Sequence, residues 1–184
     1  VPSGFYGQPP SGDPTLVAVA GPRSMVERIA RCVVTYDQAL LPAQAGTQYT
    51  ALPFALVDAE NKTLDSTLLS VTSESVLLDT LLVEQTLHPM KTADINLSGI
   101  TMGTPSEGYH VVSVTADPTY VSVAGPPDFL RSLDLIDVDT VINIAGVTET
   151  LIRAVRVVRP TEAVYITGDV IYVTVQIAPD SPAP

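Results

Sequence analysis

The chain of 184 residues has no tryptophan, three phenylalanines, one cysteine, and nine lysines and arginines together. Each scarcity excludes something. Nine cations against twenty acidic residues leave a net charge of −11, and the cations form no cluster. Nucleic acid and anionic lipid surfaces both need a cationic stripe, so neither is an expected partner. The acidity itself points no further than solubility. A lone Cys32 cannot close an internal disulfide, which fits a reducing compartment or a bacterial surface protein built without disulfides. No run approaches the ~20 apolar residues that cross a bilayer, and Asp79 interrupts the most apolar stretch, residues 75–83. No signal peptide is visible. The chain opens on Val1 rather than Met, so it reads as a piece of something longer, from which any anchor could have been cut away.

What is present is a globular composition, 46% hydrophobic and 16% charged, dominated by Val, Leu, Ile and Thr. One phrase is written twice. Residues 13–22 read DPTLVAVAGP and residues 117–126 read DPTYVSVAGP, a spacing of 104. A repeat predicts two modules of roughly 90 residues, each large enough for a small core. Asp-Pro-Thr makes a turn, because Pro fixes φ and donates nothing to a ladder. Val17, Ala18, Val19 and Ala20 then alternate large and small at the strand period, as do Val121, Ser122, Val123 and Ala124. The large members should face a core and the small ones should face outward. Gly-Pro ends the strand, and Pro22 or Pro126 suits the first turn of a helix. Met25, Val26 and Ile29 give that helix one apolar face, with Cys32 at its end, and Phe129, Leu130 and Leu133 do the same in the second copy.

Most of the remainder reads as strands. Ile171, Val173, Val175 and Ile177 share one face, Val155 and Val157 another, and residues 164–173 suggest a hairpin around Thr167-Gly168-Asp169. Residues 73–87 are ambiguous. Leu78, Leu81, Leu82 and Gln85 fit a helix capped by Ser73, but the repeat places a strand there, opposite 171–177 at a spacing of about 94. That leaves roughly ten extra residues in the first copy between Asp37 and Val71, in 40–48 or in 58–63. His88-Pro89 looks like a linker. Residues 91–99 open the second copy; the matching strand of the first copy would precede Val1. The expected architecture is mainly β: two tandem modules, each with one short helix, at 1–87 and 88–179, and a disordered tail at 180–184.

Lys91 and the strand to Gly99, GTPSEGYHVV at 103–112, the second phrase, its helix and IDVDTVINIAGVTETL at 136–151 together resemble the YbbR repeat. The resemblance spans 91–179. It is looser in the first copy, where residues 7–11, GQPPS, replace an expected strand. It implies tandem β repeats with a topology similar to the β domain of ribosomal protein L25, carried outside the membrane of a Gram-positive bacterium on a single-pass anchor. It also implies a non-enzymatic role, modulating a membrane-bound diadenylate cyclase, the maker of cyclic di-AMP, by protein–protein contact. The anchor is not in these residues. The alternative is a generic adhesion or cell-wall-binding module, for which an aromatic content of 5% without Trp offers a poor sugar-stacking platform.

The sequence offers little chemistry and implies no cofactor. It has no G-x-S-x-G elbow, P-loop, G-x-G-x-x-G or H-E-x-x-H. His88 and His110 read as surface or edge histidines, and Cys32 as a buried, inert thiol. Asp134, Asp137 and Asp139 make a cation site conceivable, but no calcium loop accompanies them and a solvated strand face explains them as well. Residues 105–109, PSEGY, are readable as a binding loop, but the echo PSGFY at 2–6 favours a turn that maintains the fold. Asp58, Glu60, Asn61 and Lys62 read as turn chemistry. A catalytic alternative requires a pocket joining His110 to Asp137 or Asp139.

Overall fold

The computed structural model describes residues 1–180. The chain divides into two compact units, Val1–His88 and Pro89–Pro184.

In the first unit the order is β1 (Phe5–Gly7), β2 (Ser11–Asp13), β3 (Ala18–Ala20), α1 (Arg23–Val26), β4 (Arg31–Val34), a 3-10 turn (Gln38–Leu40), β5 (Gly46–Val57), β6 (Ser70–Ser73), β7 (Val76–Leu77) and β8 (Thr80–Ile95). The division falls inside β8, so His88 and Pro89 are strand residues rather than a linker. Residues 80–87 of β8 pair with β5 on one side and with β1 and β2 on the other; β5 also pairs with β4. β3 pairs with β6, and β6 with β7. Pro9 and Pro10, which donate no backbone hydrogen bond, separate β1 from β2. They break in two what the second unit makes as one strand.

The second unit continues with β9 (Thr101–Met102), β10 (Tyr109–Asp117), β11 (Tyr120–Ala124), α2 (Pro127–Ser132), β12 (Leu135–Ile136), β13 (Ile142–Asn143), β14 (Leu151–Arg156), β15 (Tyr165–Ile166) and β16 (Val170–Pro179). β16 lies between β10 and β14. Residues 90–95 of β8 lie between β11, antiparallel, and β12, parallel. β15 pairs with β11, so 164–173 is not the hairpin the local turn suggested. A bulge between Val111 and Ser113 leaves Val112 exposed.

The two units follow one plan. Asp13 pairs with Leu82 as Asp117 pairs with Tyr172, and Val19 pairs with Val71 as Val123 pairs with Ile166. Both Asp-Pro bonds, 13–14 and 117–118, are cis. The buried faces Leu81, Val83, Gln85 and Leu87, and Ile171, Val173, Val175 and Ile177, align at a spacing of 90, not 94. The spacing is still 103 at Pro53 and Arg156, which pair with Thr80 and Val170, and is 95 at Val71 and Ile166. Of the two places expected for the extra residues, 58–63 therefore holds some, and the β6–β7 turn adds more. Glu74 and Ser75 at that turn are left-handed, with φ of 47° and 71°. Residues 80–87 are a strand, as the repeat required, and not a helix.

Packing separates the units. The main apolar cluster runs from Ala93 to Ile177, wholly within the second unit, and gathers Val121, Val123, Leu130, Leu133, Ile136, Val155 and the inner face of β16. In the first unit Leu56, Val57, Val71, Leu81, Val83 and Leu87 are buried, but Val17, Val19, Met25, Val26 and Ile29 are only half-buried. Cys32 is in β4 rather than at a helix end, because the helix stops after one turn. The outward residue of the second phrase also departs from expectation: Ala124 is buried. Asp180, assigned to a disordered tail, is bonded, its N–H donating to the Gly108 carbonyl at 2.7 Å; the rest of that tail, 181–184, lies outside the described residues.

Candidate functional site

The side chains singled out from sequence do not converge. His110 sits on β10 with Nδ1 2.8 Å from Asp180 Oδ1, and both side chains are more than half exposed. The three aspartates near 137 go to three different partners. Asp134 meets Lys91 Nζ at 3.1 Å, Asp137 accepts from Asn96 Nδ2 at 2.7 Å, and Asp139 accepts from Thr140 Oγ1 at 2.6 Å. Among the described residues no group of three or more His, Cys, Asp or Glu side chains is arranged to hold a metal ion.

The other candidates are turn and packing elements. Ser106 donates its N–H to the Val147 carbonyl and its hydroxyl to the Gly146 carbonyl, Tyr109 N–H closes on Ser106, and the Tyr109 ring packs on the main cluster. Gly108 (φ +82°) makes the left-handed corner that Gly4 (φ +80°) makes in the first unit. Asp58 Oδ1 accepts from the Lys62 and Glu60 N–H groups, and Asn61 is left-handed, a turn held by its own aspartate. Burial raises the Cys32 thiol above its ordinary pKa, which lowers its reactivity at neutral pH. Hydrogen bonds from Thr67 hold the Asp65 carboxyl below its ordinary range.

Two buried features escaped the sequence reading. Gln85 is 1% exposed on the inner face of β8, in the place that Val175 holds on β16. Its Nε2 donates to the Gln8 carbonyl at 2.9 Å, while Oε1 has no partner among the described residues. His88 Nε2 is likewise buried without one. The strict alternation Leu81, Val83, Gln85, Leu87 was the available signal for Gln85.

What remains is a surface of strand edges. In the second unit the carbonyl of Thr119 accepts from Ile95 N–H at 3.0 Å and Gly125 N–H donates to the Pro89 carbonyl at 3.3 Å. The opposite side of β11 serves β15: Ser122 N–H donates to Thr167 Oγ1 at 2.8 Å. On the other side of the 90–95 segment, the Asp134 and Ile136 carbonyls accept from Asp94 and Asn96 N–H groups at 3.1 and 2.8 Å. In the first unit β3 has a ladder on one side only, to β6, with Ser70 Oγ donating to the Ala20 carbonyl at 3.4 Å. β4 has a ladder only to β5.

This is a tandem, mainly β chain whose two units share one plan and whose described residues leave backbone edges open at β3 and β4. A family model for the YbbR-like protein matches residues 91–177, which lie within the second unit. A solved structure, a YbbR-like protein from Streptococcus pneumoniae TIGR4, is similar over 97% of this chain and 98% of its own, at 13% identity and a TM-score of 0.32. No curated protein matches the chain.

Proposed function

We propose that the chain catalyses no reaction and serves as the extracytoplasmic module of a membrane-anchored regulator, modulating a membrane-bound diadenylate cyclase by protein–protein contact. The observation that carries the reading is the YbbR-like match over 91–177. A second support is where the candidate side chains are used. Tyr109, Ser106, Asp58 and the three aspartates all serve turns, ladders or ion pairs within their own unit. A contact module by strand pairing needs open edges, and among the described residues β3 and β4 each have a ladder on one side only.

The test joins the chain to a single transmembrane helix and co-expresses it with a membrane-bound diadenylate cyclase. The expected result is co-purification of the two and a change in cyclic di-AMP of about fivefold or more. An unchanged nucleotide level without co-purification sinks the proposal. Retention of the chain on purified cell wall instead would favour the adhesion reading.

A further inference from the structure

The central strand of each unit is paired on both sides, β8 by β5 and β2, and β16 by β14 and β10. The outward side chains of these strands are therefore open to solvent although no strand position beside them is empty. Residues directly opposite on paired strands share a face. On the outer face of the first unit Tyr49 stands beside Glu84, Ala51 beside Leu82, and Pro53 beside Thr80. On the second unit the same rows hold Ile152 beside Thr174, Ala154 beside Tyr172, and Arg156 beside Val170. One row before Tyr49, the hydroxyls of Thr47 and Thr86 meet at 2.9 Å, which marks the shared face.

An antiparallel sheet with one face on the core has a polar second face. Here both second faces are apolar at matching places. Tyr49 is 61% and Tyr172 58% exposed, with Leu82 diagonal to the first and Ile152 diagonal to the second, both also exposed. Each unit thus keeps one tyrosine and one aliphatic side chain on adjacent strands, one row apart, with the two strands exchanged. The charges do not match. An aspartate lies on the outermost strand of each face, Asp13 or Asp117. Within the three rows the first unit has Glu84 where the second has Thr174, and the second has Arg156 where the first has Pro53. Neither the Glu84 carboxylate nor the Arg156 guanidinium has a partner among the described residues.

We infer that the outer face of the first unit docks the outer face of the second unit of another copy of this chain. Packed sheets lie about 10 Å apart with their side chains interdigitated. With the two faces related by a half-turn across the strands, the Ala51–Leu82 row meets the Ala154–Tyr172 row, and Leu82 lies on the Tyr172 ring. The Tyr49–Glu84 row meets the Arg156–Val170 row, which sets the guanidinium on the Tyr49 ring and next to the Glu84 carboxylate. Arginine suits that double role, stacking on an aromatic face while pairing with an acid. Charge selects this pairing over the alternatives. Two first-unit faces together supply no cation in these rows, and two second-unit faces set Arg156 against the uncharged Ile152 and Thr174. The inference goes beyond the contact with a cyclase, and its test does not involve one.

The full chain is followed by sedimentation velocity from ~1 μM to ~1 mM, and concentration-dependent association is expected in that range. Glu84→Arg and Arg156→Glu, each alone, set like charges against each other and should weaken association at least ~tenfold. Tyr172→Ser should weaken it by a similar ~tenfold through lost apolar contact. All three side chains point to solvent, so the circular dichroism spectrum should not change. An equal mixture of the Glu84→Arg chain with the Arg156→Glu chain should recover association, because each altered face then meets its opposite charge on the other chain. The inference is overturned by a chain that stays monomeric up to ~1 mM, by single variants that associate as the unaltered chain does, or by a mixture no better than its parts. Copies joined through strand edges would give the second of these results. A monomeric chain leaves the cyclase measurement standing, and an unchanged cyclic di-AMP level leaves self-association standing.

Discussion

Val19 and Val123 occupy the same place in the same ten-residue phrase, yet one is half-buried and the other is completely sealed. The local sequence does not make that difference. Each valine has the same corner glycine two residues on and a short apolar helix after it. What differs is a neighbour in space: residues 90–95 lie against β11, and nothing described lies along the matching side of β3. Burial is therefore a property of the completed sheet. The same phrase gives a core strand in one unit and an edge strand in the other.

The sharpest way to break this comparison is to put a charge at both places. Val123→Asp buries an unpaired carboxylate in the main cluster and should cost about 4 kcal/mol or more. Val19→Asp can turn toward water and should cost no more than ~1 kcal/mol. Hydrogen exchange read separately in β16 and in residues 80–87 distinguishes them; equal losses would show that the units do not differ as described. A middle-sized effect comes from exchanging the buried pair at the next site. Val175→Gln places an amide where no Gln8 carbonyl awaits it and should cost ~2–3 kcal/mol. Gln85→Val removes an unpartnered oxygen and one hydrogen bond together, so its change should stay within ~1 kcal/mol and lean toward stabilisation. Loss of the first unit in Gln85→Val would assign the Gln8 contact a larger share than packing allows. The smallest effect belongs to Cys32. Its thiol is raised by burial, so its contribution is present below the ordinary thiol pKa and is lost as pH rises through the folded value. Above the ordinary thiol pKa, Cys32→Ser should flatten the pH dependence of unfolding slightly, and native Cys32 should react with a disulfide reagent more slowly than the denatured chain.

Much of the frame was legible because its signals are short-range. The turn-strand-corner-helix phrase, the PSEGY turn and the alternating face of 171–177 each carry their own physics within ten residues. Other features are set by partners far along the chain. The Gly168 corner looks like a hairpin from either side, but Tyr165 and Ile166 pair with Ala124 and Val123 instead. Pro89 looked like a linker because prolines are rare in strands; it is tolerated where its carbonyl, not an absent N–H, serves Gly125. The missed partner of His110 is Asp180, seventy residues away, brought near by the β10–β16 ladder. The open side of β3 is not visible in its own phrase, because an edge is defined by what fails to pair there among the described residues.

Pro9 and Pro10 also govern how the molecule meets its own kind. A fibril grows when one exposed rail of amides templates the next chain. The rail formed by β1 and β2 is interrupted by two residues without amide hydrogens, and the rail of β10 is kinked at Val112. These two borders are thus poor seeds for runaway stacking, in a chain where 46% of residues are hydrophobic.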